Sequence, residues 1–263
     1  MSDPPRFDLA YYENLRAARA LTLGSVIDWP RETASTNDDA LSAAKSGIPH
    51  GALFGAETQS RGRGRRGSSW LSTPGAGLWF SVLLRPELPP EVVPGLALAA
   101  GLAVRAAVAS RVTATTLVKW PNDVLAGGRK LCGILVESQF SGARVAHVVV
   151  GVGINVTQAA FPEELSATAT SLSLLEVTSV SREELLVDVL AQLEERLSLL
   201  ARAGLPGLAP ELNAHDALRN LRLRVDGREG TGSGIDDAGR LLLAPDEGPV
   251  QAISSGHVEI VSA

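Results

Sequence analysis

Cysteine, methionine and histidine are scarce in this 263-residue chain, which holds one Cys, one Met and four His. The single thiol, Cys132, excludes an internal disulfide and leaves no zinc-type cluster. The histidines, at 50, 147, 215 and 257, show no metal-ligand spacing, so no metal site is expected from protein ligands alone. Long apolar runs are missing too. The longest stretch, Leu96 to Ala109, is broken by Gly101 and Arg105 and falls short of the roughly 20 apolar residues that a bilayer requires. The stretch Met1-Ser2-Asp3-Pro4-Pro5 lacks a basic targeting region. These absences predict a cytoplasmic protein with no membrane partner. A net charge of -5 argues against general nucleic-acid binding. No internal repeat, low-complexity tract or persuasive Ser-His-Asp arrangement is visible.

What is present is enough apolar material for a packed core, at 45% hydrophobic and 20% charged residues. The most unusual stretch is Glu57-Thr58-Gln59-Ser60-Arg61-Gly62-Arg63-Gly64-Arg65-Arg66-Gly67-Ser68-Ser69-Trp70. It sits between two apolar runs, 51–56 and 78–84, and reads as a loop joining two buried strands. Glycines at 62, 64 and 67 let backbone N–H groups approach an anion, while Arg63, Arg65 and Arg66 supply forked donors. Two other readings stand beside this anion clamp: a solvated charge run, and an RGG-like nucleic-acid-binding arm.

A second set of motifs shifts the balance toward the clamp. Residues 119 to 137 read Lys-Trp-Pro-Asn-Asp-Val-Leu-Ala-Gly-Gly-Arg-Lys-Leu-Cys-Gly-Ile-Leu-Val-Glu, and residues 151 to 156 read Gly-Val-Gly-Ile-Asn-Val. With Gln59-x-x-Gly62-Arg63-Gly64-Arg65-Arg66-Gly67 and Ser35-Thr36-Asn37, this set resembles the catalytic domain of biotin protein ligases, in order and spacing, from about Thr33 to Asn155. The resemblance implies an α+β fold: a class II aminoacyl-tRNA-synthetase-like mixed sheet with flanking helices over residues 1–212, then a small SH3-like β-barrel over 213–263. About thirty residues precede Ser35, too few for a helix-turn-helix module, so the monofunctional form without repressor activity is expected.

Local signals fill in the chain. Residues 6 to 20 predict an amphipathic helix and 26–29 a strand. Ser35 or Thr36 reads as the N-cap of a helix ending at Gly47. Strands are expected over 53–57, 77–84 and 117–120, with an apolar helix over 95–110. Ala126-Gly127-Gly128-Arg129 reads as a hairpin turn. On the strand that follows, strict alternation puts Lys130 on one face with Cys132, Ile134 and Val136, where an amine is costly unless it reaches solvent or an anion. A strand over 144–156 reads as buried on both faces, with Gly151 and Gly153 marking a close approach. Asn155 reads equally well as a strand-end turn residue or as a neighbour of a nucleotide. Ser181-Arg182-Glu183-Glu184 is a capping box for a long helix to Gly204. Five short strands after about Asn213 suggest a small barrel.

The resemblance also implies chemistry. The biotin carboxylate attacks the α-phosphate of ATP, giving biotinyl-5'-AMP and pyrophosphate, and a lysine of a biotin carboxyl carrier domain of a coenzyme-A carboxylase then attacks the adenylate. ATP with Mg2+ and biotin are the small molecules implied. Lys130, Arg63 and Asp123 are the implied catalytic residues. Ser35, Thr36, Asn37, Gln59, Gly62, Arg63, Arg65, Lys130 and Gly133 are the implied biotin contacts, and Arg65, Arg66, Trp70, Asn122, Lys130 and Asn155 the implied ATP contacts. Cys132 reads as packing. Lipoate ligases, which share the adenylation logic, are the neighbouring alternative, and the nucleic-acid module the more distant one.

Overall fold

Alternation along the central strands decides which side of the sheet is core and which is cleft. The computed structural model describes residues 6–177 and 179–261, so the Met1–Pro5 stretch read for a targeting signal lies outside the described residues. In chain order the elements begin α1 (Leu9–Ala18), β1 (Ile27–Asp28), β2 (Glu32–Thr33), α2 (Thr36–Lys45), β3 (Leu53–Ala56), β4 (Thr58–Gln59), β5 (Gly77–Leu84) and α3 (Gly95–Ala109). They continue with β6 (Thr116–Lys119), β7 (Asp123–Ala126), β8 (Arg129–Ser141), β9 (Arg144–Asn155), α4 (Glu163–Ser166), α5 (Arg182–Ala203) and α6 (Ala209–Ala214). The last strands are β10 (Arg222–Val225), β11 (Arg228–Ile235), β12 (Leu241–Ala244), β13 (Gln251–Ile253) and β14 (Val258–Ile260).

Seven strands form the main sheet in the order β1-β3-β5-β9-β8-β7-β6. Only the β1–β3 pairing is parallel, so the sheet is mixed. Even-numbered residues of β5 and β9, such as Leu78, Phe80, Val150 and Ile154, face the main core under α3 and α5. Leu83 and Val149 point the other way, onto Ala40 and Ala44 of α2. The expected helices are all present. Helix α5 starts where Ser181 accepts the Glu184 N–H at 3.1 Å and stops at Gly204, whose φ of 61° ends the helical run.

One sequence expectation needs correction here. The β7–β8 register slips between Val124 and Leu125: Val124 faces Cys132, but Leu125 faces Lys130. Leu131 is therefore the extra residue of a β-bulge, which breaks the alternation. Lys130 leaves the face of Cys132 and Ile134 and joins that of Gly133, the residue directly opposite Asp123. Ser35 is a second, smaller correction. It occupies the N-cap position of α2, but its side chain makes no capping bond; Gln59 Oε1 accepts the Thr36 N–H instead, at 2.9 Å.

The C-terminal strands form a five-stranded antiparallel sheet, β13-β12-β11-β10-β14. Its Leu223, Val225, Leu241 and Leu243 merge with the main core. Residues 215–217 run beside β6, with Val118 N–H donating to His215 O and Ala217 N–H to Val118 O. Trp120 Nε1 donates to Gly239 O at 2.9 Å, so one of the quoted motifs binds the two sheets together. No helix among the described residues is long and apolar enough to cross a membrane.

A buried ion pair roots the basic loop. Glu57 receives Arg182 Nη1 at 2.7 Å and the Phe7 backbone N–H at 2.7 Å, joining the segment ahead of α1, α5 and the last residue before β4. Removing one partner of a buried pair strands the other charge. Glu57→Ala is expected to lower the unfolding free energy by about 3–5 kcal/mol, measured by urea denaturation; a loss below about 1 kcal/mol would show that the pair contributes little net stability.

Candidate active site

The basic loop is a tight hairpin. Gly64 N–H donates to Ser68 O at 2.7 Å and Trp70 N–H to Gly62 O at 2.9 Å, around the bridge pair Arg63 and Ser69. A short 3-10 turn over Arg65–Gly67 closes it, with Arg66 at φ 54° and Gly67 at φ 77°. The glycines thus permit a folded-back turn that runs over the sheet, in the segment read from sequence as a loop joining two strands.

Beneath Trp70 the sheet presents two glycines, Gly133 and Gly153. A Cβ on Gly133 would lie 2.7 Å from the Trp70 ring and 3.3 Å from Lys130 Nζ, and one on Gly153 would lie 2.6 Å from Trp70 Nε1. The indole therefore rests on bare backbone of β8 and β9. Its edge meets Trp79 at a centroid distance of 6.2 Å, and Lys130 Nζ stands 5.4 Å from a Trp70 ring centroid. Lys130 Nζ is 2.8 Å from Asp123 Oδ1. Bulge, glycine floor and hairpin place a cation, a carboxylate and an aromatic wall at one point.

The far end of the trough is a polar network built on α2. Ser81 is fully buried and its Oγ lies 2.8 Å from Thr36 Oγ1 and 2.6 Å from Asn37 Oδ1. Gln59 Nε2 donates to Ser72 Oγ at 3.0 Å while its oxygen holds the start of α2. Asn37 Nδ2 donates to Glu137 Oε2 at 2.7 Å, and a Cβ on Gly151 would fall 2.0 Å from Asn37 Oδ1. Here again a missing side chain makes room for a polar contact.

The arginines have separate partners. Arg63 is held by Glu137 and Asp38. Arg65 Nη1 donates to Asn122 Oδ1 at 3.2 Å, and Asn122 Nδ2 donates in turn to Ile134 O at 2.9 Å. Burial, with the neighbouring Arg66, holds the Arg65 pKa below its ordinary value, against the pull of Asp123. Arg66 reaches Asp226 of the C-terminal sheet at 3.2 Å, which raises its own pKa and lowers that of Asp226.

A cavity of about 390 Å³ gathers most residues predicted from sequence: Ser35, Thr36, Asn37, Gln59, Arg63, Arg65, Arg66, Trp70, Asn122, Asp123, Lys130 and Gly133 all line it. Gly62 lies beside it, where a Cβ would strike Trp70 O at 2.6 Å. Asn155 lines an adjoining cavity of about 620 Å³ that shares Trp70, Asp123 and Lys130 with the first. The Asn155 amide is turned inward, donating to Thr170 O at 3.0 Å, and fixes the segment that runs along Lys130. There Lys130 N–H donates to Thr168 O at 2.7 Å and Thr170 N–H to Lys130 O at 2.9 Å.

Sequence reasoning assigned no role to Glu137, Asp38, Lys119, Ser81 or His257. Ser81 carried a signal, a hydroxyl in the middle of an apolar strand. Lys119 and His257 line both cavities, and nothing in the local pattern of His257 pointed to that. Burial pushes the Cys132 thiol pKa up, in keeping with a packing role.

Fold and cleft together define a class: a ligase catalytic domain in which a basic hairpin covers a mixed sheet. A biotin protein ligase from Aquifex aeolicus, solved in complex with biotin and ATP, superposes with a TM-score of 0.79 at 29% identity, over 91% of this chain and 100% of that one. The chain belongs to the biotin/lipoate A/B protein ligase family, whose sequence profile matches residues 23–155. It is 39% identical over 258 residues to the biotin--[acetyl-CoA-carboxylase] ligase of Mycobacterium tuberculosis, covering 92% of this chain and 94% of the relative. It is also 38% identical over 232 residues to the bifunctional ligase/repressor BirA of Bacillus subtilis, covering 86% of this chain and 71% of the relative.

The glycine floor yields a direct test. Gly153→Ala is expected to force the Trp70 ring off the sheet and to cost about 1–3 kcal/mol of stability. A red shift in tryptophan emission that is absent from Gly153→Ala/Trp70→Phe would identify the displaced ring. Unchanged emission and stability would show that the trough tolerates a methyl group.

Proposed function

We propose that this protein activates biotin with ATP and transfers it to a lysine of a biotin carboxyl carrier domain of a coenzyme-A carboxylase. The observation that carries the reading is the convergence of Lys130, Asp123 and the arginine hairpin on one glycine-floored trough. In the first step a biotin carboxylate oxygen bonds to the α-phosphorus, the bond to the β-phosphate bridging oxygen breaks, and pyrophosphate leaves. The nucleophile belongs to the substrate, so the protein's task is to hold two anions together and neutralise charge on the phosphate. Lys130 bridges the carboxylate and the α-phosphate. Arg65 and Arg66 carry phosphate charge, Trp70 closes the cleft with apolar surface, and Asn122 shapes the pocket beside it. Ser35, Thr36, Asn37 and Gln59 form the polar end that receives the biotin ring system, with Gly62, Arg63 and Gly133 around it. The adjoining cavity, walled by Asn155, takes the nucleotide.

In the second step the carrier lysine attacks the acyl carbon, AMP leaves, and the amine loses a proton. Asp123, beside Lys130, meets the incoming amine. Among the described lining residues of the first cavity Asp123 is the only carboxylate, and no group of three metal-ligating side chains occurs among the described residues. That fits Mg2+ carried on nucleotide phosphates and unsuited to an all-protein cage. When bound it would supply further neutralisation of the phosphates.

We assign residues 1–212 to the catalytic unit and 213–263 to a small SH3-like barrel, and place the protein in the cytoplasm. The antiparallel order of the five C-terminal strands supports the barrel. A nucleic-acid arm is disfavoured because Arg63, Arg65 and Arg66 are each engaged by the protein's own groups.

Incubation with ATP, Mg2+ and either biotin or lipoate, followed by mass measurement of the retained small molecule, tests the reading. Biotinyl-AMP is expected, and lipoyl-AMP alone would move the assignment to a lipoate ligase. Lys130→Ala is expected to slow adenylate formation about a hundredfold or more, read by pyrophosphate release. Near-normal release would remove Lys130 from the first step.

A further inference from the structure

We propose that Glu137 is a positioning residue for this reaction: acting through Arg63, it ties the basic hairpin to the sheet and sets how long the cleft stays shut over the adenylate. The proposal rests on the biotin-activating reading above. Glu137 lies on β8 two residues beyond Leu135, a cavity-lining residue, and its carboxylate collects three donors. Arg63 Nη1 donates to Oε1 at 3.0 Å, Arg63 Nη2 to Oε2 at 2.7 Å, and Asn37 Nδ2 to Oε2 at 2.7 Å. Asp38 Oδ1 takes the same Nη2 at 2.7 Å. One side chain thus joins the hairpin, α2 and β8.

Three arginines attach the hairpin to the rest of the protein, and their bonds are unequal. Arg65 makes a single 3.2 Å bond to a neutral amide oxygen. Arg66 meets Asp226 at 3.2 and 3.3 Å, with both side chains about half exposed, a setting in which ion pairs contribute little. Arg63 alone has a short fork-to-fork pair with a carboxylate that is only 27% exposed, backed by a second carboxylate and an amide. Such charge-assisted bidentate pairs are the strong ones. The Arg63–Glu137 bond is therefore the main tether.

The same geometry bears on what Arg63 does. A guanidinium shared by two carboxylates sits in a cluster of net negative charge, so its positive charge is already spent on its own partners rather than on a phosphate. Its task is to hold its own backbone, flanked by Gly62 and Gly64, in place over the trough.

The experiment compares the full-length protein with Glu137→Gln, Arg63→Ala and the double variant. Tryptic cleavage within residues 61–66 of ligand-free protein reads the tether without reference to any substrate. Release of preformed biotinyl-AMP into a trap reads its effect on the reaction. Glu137→Gln is expected to speed both several-fold, with the melting temperature close to wild type, and to add nothing in the Arg63→Ala background. Asp38→Asn is expected to act in the same direction more weakly, and serves if Glu137→Gln folds poorly. Wild-type cleavage and release rates in Glu137→Gln, or an undiminished effect when Arg63 is already gone, would overturn the proposal. If wild-type protein makes no biotinyl-AMP, the reading of function fails, while the cleavage rates still report on the tether.

Discussion

An indole lying on bare backbone is the contact on which the rest of the site depends. Trp70 closes against Gly133 and Gly153 at distances that no side chain at either position would allow. Because the ring sits that deep, the hairpin that carries it folds down onto the sheet. Because the hairpin folds down, Arg63 and Arg65 reach β8 and the β6–β7 turn. The cleft is made as much by what the sheet lacks as by what it presents.

Charge in the cleft is arranged around that contact. Lys130 sits against the Trp70 face with Asp123 at its side, so the amine is fixed by an ion pair and an aromatic surface together. The arginines are distributed outward: one to the sheet and α2, one to an asparagine, one to the C-terminal sheet. Each of the three hairpin arginines thus has a partner within the protein. An anion entering the site competes with those partners for Arg65 and Arg66, which hold weaker bonds, and leaves Arg63 largely as it is.

The C-terminal sheet belongs to this arrangement. Asp226 receives Arg66, Gly239 O receives the Trp120 indole, and His257 and Val258 line both cavities. With the cores merged, the second sheet acts as a wall of the first.

Much of the fold was legible from local pattern, because amphipathic stripes, caps and turn residues act over a few residues. The Ser181 N-cap of α5, the Gly127-Gly128 hairpin and the 77–84 strand all appear where their signals lie, though the Glu184 carboxylate of the expected capping box accepts from the Tyr11 hydroxyl. The candidate site was legible through motif resemblance: most of its residues line one cavity, with Gly62 beside it and Asn155 on the adjoining one. What local pattern did not disclose was the facing of Lys130, since a bulge at Leu131 reverses alternation and depends on pairing with β7. It did not disclose the partners of Arg63 either, because Asp38 and Glu137 stand far from it in the chain and come near only when α2 packs on the sheet. The amino-acid order by itself determined which segments are stiff, which backbone positions are left bare and which groups carry charge. Tertiary structure alone decided which face each group occupies and which opposite charge it meets, because register and packing are set by contacts between residues distant in sequence.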